Sequence, residues 1–142
     1  MVARKERTLL IDVQSLDAQS APPNAALLSE LREAVKRATN LASVGGSVPP
    51  LSSRLYSREA RLCAVRTSLA GSRDVRTAIG SIRYVQQWPV KLTVVRVFGN
   101  ERLARREFDA RCEAALWRLG EDADAQKAVR GVREKLSEMQ KS

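Results

Sequence analysis

Histidine is absent from this chain of 142 residues. Its absence excludes Ser-His-Asp and Cys-His mechanisms, histidine general bases, and the common zinc and haem sites. The two cysteines, Cys63 and Cys112, have no CxxC or other metal-ligand spacing around them. They are predicted to be buried free thiols, with a single disulfide as the alternative. We therefore predict no catalytic residue, no metal ligand and no cofactor, in a protein that is not an enzyme.

Aromatic residues and long apolar runs are also scarce. Phe, Trp and Tyr together make up 4 % of the sequence, and the aromatic pair of an RNA-recognition motif is missing. Neither a Walker motif nor a GxGxxG motif is present. No apolar run approaches the ~18 residues of a membrane-spanning helix, so no transmembrane span is expected. The aliphatic run at 8–13 is too short for a secretory signal, and an organellar presequence at this end stays open.

Carboxylates are scarce in the middle of the chain. The sequence carries 25 Lys and Arg against 16 Asp and Glu, a net charge of +9, and 19 of the 25 cations are arginine. Residues 54–96 hold nine cations against Glu59 and Asp74 alone, a net +7, whereas 1–53 and 97–142 are each +1. Local charge density sets the surface potential, and the guanidinium fork suits phosphate and carboxylate. The middle is therefore predicted to contact an anionic partner; a GC-rich genome and a solubilising face are the alternative explanations.

Breaks in the hydrophobic pattern predict the domain organisation. An N-terminal arm over 1–23 precedes a first helix over 24–43. A Gly/Pro linker over 44–50 follows, and a helical domain covers 51–142, with its basic middle at 54–96 and charge-balanced helices at its C-terminus. Because the linker detaches the first helix, that helix can pack on a neighbouring subunit.

Apolar residues recur at helical spacing through most of the remaining chain. The pattern predicts helices at about 51–70, at 72–88, at 101–119, and from Asp122 or Asp124 to the C-terminus.

Residues 90–98 are ambiguous. They are rich in β-branched side chains, which favours a strand, but Pro89 can also be the first residue of a helix. If 8–13 and 90–97 are both strands, they can pair as a short two-stranded β element. The predicted fold class is therefore mainly α, a bundle of about five amphipathic helices with or without that element.

Arginines cluster on one face of the predicted third helix. Arg73, Arg76 and Arg83 project within about 80° of one another, away from its apolar face. Gly80 on the same face lets a backbone approach closely, and Tyr84 at its edge can stack on a base or ribose. The residues predicted to contact RNA or another anionic partner are Arg54, Arg58, Arg61, Arg66, Arg73, Arg76, Arg83 and Tyr84.

A second pattern lies in Arg54-Leu55-Tyr56-Ser57-Arg58 at the start of a predicted helix, followed later by Phe98-Gly99-Asn100 and an amphipathic helix. These residues resemble the LYR-motif proteins, which are small, basic, three-helix mitochondrial proteins of the respiratory complexes. The resemblance implies docking of an acidic acyl carrier protein whose acyl chain enters the bundle. It would place Leu55, Tyr56 and Arg58 near the mouth of the bundle and Phe98 in its core.

These patterns predict a structural or accessory subunit of a large macromolecular assembly. The favoured candidate is a mitochondrial ribosomal protein on the matrix side, contacting rRNA and neighbouring proteins through its arginine-rich central helices; the other predicted location is the cytoplasm. The alternative is an LYR-like helical subunit or assembly factor of a respiratory complex or ATP synthase. Its arginines would then meet acyl carrier protein, acidic subunits or cardiolipin head groups.

Overall fold

Five antiparallel strands and four helices make up the part of the chain that the computed structural model describes, residues 5–16, 22–42, 51–57 and 59–141. The strands are β1 (Glu6–Ser15), β2 (Ser52–Ser57), β3 (Leu62–Ser68), β4 (Tyr84–Val85) and β5 (Trp88–Phe98). The helices are α1 (Asn24–Ala42), α2 (Ser72–Ser81), α3 (Glu101–Leu119) and α4 (Ala123–Lys141). The sheet order is β2-β3-β1-β5-β4, so the N-terminal strand lies at the centre.

β1 is buried on both faces of the sheet. It pairs with β3 on one side and with β5 on the other. Leu9, Ile11 and Val13 point to one face and Leu10 points to the opposite face, and all four side chains are buried. Because side chains alternate along a strand, an unbroken apolar run is typical of a strand that is covered on both sides.

Helices provide that cover and create three layers. α1 and α2 pack over a first hydrophobic cluster, to which Leu31, Val65 and Ile79 belong. α3 and α4 pack on the other face over a second cluster around Phe108 and Leu136. None of the described helices is both long and apolar enough to cross a membrane.

The predicted helical bundle is wrong, and the largest error is at 51–70. This stretch is the β2–β3 hairpin rather than a helix. Leu62 faces the second cluster, Cys63 the first, Ala64 the second and Val65 the first. This is the period of two that a strand requires, whereas the leucines alone also match a helical spacing.

Residues 8–13 and 90–97 do pair, as parts of β1 and β5. They are the centre of a five-stranded sheet rather than an isolated two-stranded element, and a β-bulge shifts their register between Leu10 and Ile11. The strand interpretation of 90–98 is therefore confirmed.

Three helices lie close to their predicted bounds because caps and periodicity agree there. α1 begins at Asn24, and α3 begins after Asn100, whose side chain accepts a hydrogen bond from the Arg102 amide at 2.8 Å. α3 ends at Gly120, which has a positive φ of 58°. α2 ends at Ser81, well before the predicted end, because β4 and β5 turn back on one another immediately afterwards.

The first helix contributes to the core of its own chain. α1 packs on the sheet through Leu27, Leu31 and Val35, which are buried in the first cluster. The segment predicted as an N-terminal arm contains the central strand β1. The predicted linker at 44–50 lies outside the described residues.

Cys63 and Cys112 are buried free thiols, as predicted. They lie in different clusters, Cys63 under α1 and α2 and Cys112 under α4. Burial raises the pKa of each thiol from 9.0 to about 12, against a small opposing effect of the Ser53 hydroxyl on Cys63 and of Arg133 on Cys112.

We expect both thiols to resist a thiol-specific reagent at pH 8 in the folded protein and to react fully in denaturant. The thiolate is the reactive form, and the raised pKa and the burial both keep it scarce in the native state. Time-resolved labelling with a chromogenic disulfide measures this. Rapid labelling of either thiol without denaturant would contradict the burial.

Candidate nucleic-acid interface

Three of the arginines on α3 and α4 are neutralised within the molecule. Arg105 pairs with Glu101 at 3.2 Å, Arg111 pairs with Glu107 at 3.0 Å, and Arg133 binds Asp109 at 2.8 Å. The bond to Asp109 raises the pKa of Arg133 above its usual value and ties α4 to α3. These cations are therefore engaged in holding the fold together.

Arg66 of the predicted site belongs to this neutralised group. Its guanidinium pairs with Glu6 of β1 and lies 3.7 Å from the carboxylate of Glu101 at the start of α3. Arg66 lies on β3, and its two carboxylates come from parts of the sequence that are far from the basic middle. Tertiary structure thus removes one arginine that the sequence had assigned to an anionic partner.

The other predicted residues divide between two regions. Arg61 is exposed at the β2–β3 turn, with a positive φ of 60°, and β3 is separated from β5 by β1 in the sheet. Arg58 lies outside the described residues, as does the side chain of Arg54. Arg73, Arg76, Arg83 and Tyr84 lie together on the chain segment from α2 through β4, and all four are exposed.

α2 and β5 form an open groove beside these residues. It is lined by Arg73, Arg76, Thr77, Ile79 and Gly80 of α2 and by Leu92, Thr93 and Val94 of β5. A methyl group built on Gly80 would touch no atom within 4 Å, so the glycine leaves free space in the groove rather than relieving a clash. Val75, Ala78 and Ile79 on the opposite side of α2 are buried against the sheet, which aims the arginines outward.

The outer edge of β5 is open along the groove. β4 pairs with Trp88 and Pro89 only. The Pro89 carbonyl accepts from Leu16 on the β1 side at 2.9 Å, and the Val90 amide donates to the Arg83 carbonyl on the outer side at 2.9 Å. Since the backbone groups of a strand alternate in direction, those of Leu92 also point outward, and the described residues supply no partner strand for them.

Two further cations lie on the other face of this edge. Val90 and Leu92 are buried in the first cluster, so Lys91 and Thr93 between them project from the opposite face, and both are exposed. Arg96 is also exposed, and its guanidinium carbon lies 5.0 Å from the centre of the Phe98 ring. The alternation of apolar and polar residues at 90–93 is the sequence signal for Lys91. Neither cation is among the predicted contact residues, because the sequence of 90–98 is compatible with both a strand and a helix.

We use the term basic edge for the surface formed by five cations around the outer edge of β5. They are Arg73, Arg76, Arg83, Lys91 and Arg96. Within the described residues none of the five pairs with a carboxylate, in contrast to Arg105, Arg111 and Arg133 of α3 and α4. α2 itself carries Asp74 in its first turn, and the neighbouring strand β1 carries Asp12, which lies opposite Thr93 in the register.

The residues of the LYR-like pattern do not share one mouth. Leu55 and Tyr56 lie in strand β2, where the pattern needs the start of a helix. Leu55 and Phe98 are buried in the second cluster, whereas Tyr56 packs against the first and its hydroxyl donates to the Pro22 carbonyl. The alternation of a strand therefore sends Leu55 and Tyr56 to opposite faces of the sheet.

No group of three or more Cys, Asp and Glu side chains that could hold a metal ion occurs among the described residues. The geometry of the basic edge favours a different kind of ligand. Guanidinium groups, an ammonium group and outward-facing amides are all hydrogen-bond donors, which suits an extended anionic chain such as a sugar–phosphate backbone.

Comparisons with known proteins find a chain of similar fold but assign this chain to no family. No family model matches the chain, and no curated protein matches it. Among solved structures, a chain in the cryo-EM structure of yeast ribonuclease MRP has a similar fold, with a TM-score of 0.56. The alignment covers 99 % of this chain and 98 % of that chain at 15 % sequence identity. The similarity therefore extends over the whole molecule and concerns the fold alone.

Proposed function

We propose that this protein is a non-catalytic, RNA-contacting subunit of an RNA–protein assembly, and that the basic edge is its RNA-binding surface. The observation that carries the proposal is the separation of the cations. Arg66, Arg105, Arg111 and Arg133 pair with carboxylates, whereas the five cations of the basic edge have no carboxylate partner among the described residues and surround an unpaired strand edge. Unpaired cations concentrated on one surface are the electrostatic footprint of a nucleic-acid partner.

The similarity in fold is consistent with this proposal. A chain of yeast ribonuclease MRP has the same architecture along nearly its whole length, and a ribonuclease acts on RNA. It lends no support to a mitochondrial ribosome, and the proposal therefore names no ribosome. The acyl carrier protein of the alternative prediction is not included, because Leu55 and Tyr56 face different clusters.

The donors of the basic edge are better suited to contacts with phosphate groups than to recognition of a base sequence. Arginine forks and outward-facing amides recognise phosphate oxygens irrespective of the base. Tyr84, which is 62 % exposed on β4, is the aromatic side chain of the described residues at this edge that can stack on a base. Gly80 faces open space in the groove between α2 and β5.

We expect RNA binding to weaken steeply as salt concentration rises. If five cations neutralise five phosphates, log K should fall against log salt with a slope of about −3.5 on single strands and about −4.5 on a duplex. Fluorescence anisotropy with labelled single-stranded and hairpin RNA over a salt titration measures both slopes. Binding that is insensitive to salt, or no binding at low salt, would rule out the basic edge as an RNA surface.

The assembly itself can be tested by sedimentation of cell extract. We expect the protein to sediment with a large complex, and to move to lighter fractions after treatment with ribonuclease. Sedimentation with membrane complexes that is unchanged by ribonuclease would contradict the proposal.

A further inference from the structure

Trp117 is the most exposed large apolar side chain of the described residues, with 85 % of its surface accessible. It lies on α3 with Leu103, which is 48 % exposed, and with the exposed Ala110 and Ala114. At 100° per residue these four side chains fall within an arc of about 60°. They lie opposite the face that α3 buries against the sheet, which consists of Ala104, Phe108, Cys112 and Ala115. We call the four exposed residues the α3 stripe.

The α3 stripe has the shape of a helix-packing surface. Two alanines in its middle let a second helix approach closely, and Leu103 and Trp117 stand at its two ends, about 21 Å apart along the axis. Trp117 exposed to water loses the favourable burial of one of the largest apolar side chains. A complementary helix would carry a small side chain opposite Trp117, a larger one opposite Leu103, and side chains that fit against the two alanines between them.

A second copy of α3 that runs antiparallel to the first presents such a surface. With Ala110 placed against its own copy, Leu103 lies opposite Trp117 of the second copy, and Trp117 lies opposite Leu103 of the second copy. Antiparallel helices also align their dipoles favourably. The same surface is therefore used on both molecules, and the Leu103–Trp117 contact occurs twice, as an interface with two-fold symmetry requires.

The charges beside the stripe are complementary to themselves in this arrangement. Arg106 and Glu113 lie on one flank, where the Glu113 carboxylate also lies 3.9 Å from Arg133 of α4. In an antiparallel pair with two-fold symmetry, this flank faces the same flank of the second copy. The register that joins Leu103 to Trp117 brings Arg106 within one residue of Glu113 of the second copy, and the reverse contact follows by symmetry. On the other flank, Glu107 and Arg111 form an ion pair at 3.0 Å. In the antiparallel arrangement this pair lies near the same pair of the second copy, with Glu107 of one molecule beside Arg111 of the other.

We propose that the α3 stripe is a self-association surface, on which two copies of this chain pack antiparallel. This places the contact on the face of the sheet opposite α2, so that each copy keeps its α2 groove open to an anionic partner. The proposal does not depend on what the basic edge binds.

Analytical ultracentrifugation of the full chain tests self-association. We expect a dimer at micromolar concentration, and we expect Trp117→Glu to raise the dimer dissociation constant about 30-fold or more, as for a tryptophan that is buried in an interface. Tyr84→Glu is the matched control, because it places the same charge at another exposed aromatic residue and should leave the dimer intact. Circular dichroism of each variant verifies that the fold is retained.

A charge exchange tests the antiparallel register. Arg106→Glu alone should weaken the dimer because it places four carboxylates on one flank, and the double variant Arg106→Glu with Glu113→Arg should restore it. In addition, a mixture of Leu103→Cys and Trp117→Cys proteins should form a disulfide heterodimer under oxidation, since the native cysteines are buried. A wild-type protein that stays monomeric at about 100 μM, or a dimer that Trp117→Glu leaves unchanged, would overturn the proposal and leave the stripe to a different protein.

Discussion

Replacing Arg73, Arg76 and Arg83 together by glutamine is expected to lower RNA affinity about 100- to 1000-fold at 0.1 M salt, since the counterion term gives roughly a five- to tenfold loss for each phosphate contact. The salt slope should become shallower by about 2 to 3 in the same variant, because three fewer phosphates are neutralised. All three side chains are exposed and unpaired within the described residues, and glutamine is a good helix former, so the fold should be unaffected. Titration of labelled RNA at several salt concentrations measures both quantities.

The control for this variant removes the same charge from another surface. Lys127, Arg130 and Lys135 are exposed on α4, and their replacement by glutamine lowers the net charge by the same three units. If binding depends on net charge alone, the two triple variants will lose affinity equally, and the basic edge will have no special role. A loss of affinity confined to the variant at Arg73, Arg76 and Arg83 would show that the RNA binds at the basic edge.

Phe108→Ala is expected to cost about 3–5 kcal/mol of folding free energy. Phe108 is fully buried in the second cluster, where Leu10 of the central strand and Leu136 of α4 are also buried to within 1 %. Truncation leaves a cavity between α3 and the sheet that its neighbours on two other elements can fill only in part. Because a small domain is stable by about 5–15 kcal/mol in total, a large share of that margin would be lost.

Chemical denaturation measures the change in unfolding free energy, and thermal denaturation should show a fall in melting temperature of about 10–20 °C. Leu16→Ala is the matched control. Leu16 is 62 % exposed and contributes its backbone amide to Pro89, a bond that alanine retains, so its replacement should change stability by about 0.5 kcal/mol or less. Equal losses in both variants would contradict the assignment of Phe108 to the core.

The helices outside the sheet hairpins could be predicted because their signals are local. Asn100 before α3 and Gly120 after it are cap residues whose chemistry acts within a few positions, and the predicted bounds agree with the structure. The β2–β3 hairpin could not be separated from a helix, because its leucines satisfy both periods. The decision between them rests on β1, a strand almost 50 residues earlier in the chain that pairs with β3.

The candidate site shows the same division between local and distant information. The basic middle is visible in the sequence, and the three arginines of α2 and its following segment are all exposed, although Arg83 lies beyond the end of α2 rather than on its face. The sequence could not reveal that Arg66 meets Glu6 and Glu101, since these come from the two flanking thirds of the chain. Likewise, Lys91 and Arg96 join the surface only because β5 is a strand at the open side of the sheet.

The central position of β1 has a consequence for synthesis of the chain. β1 is synthesised before its two partner strands, since β3 is complete only at Ser68 and β5 only at Phe98. Its apolar side chains and backbone groups therefore stay unpaired until both partner strands have been made. Closing loops of this length makes folding slow, and an unpaired apolar strand is prone to aggregate in the meantime. A ribosome-bound chain shorter than Phe98 should therefore depend on chaperones, whereas the finished chain should not.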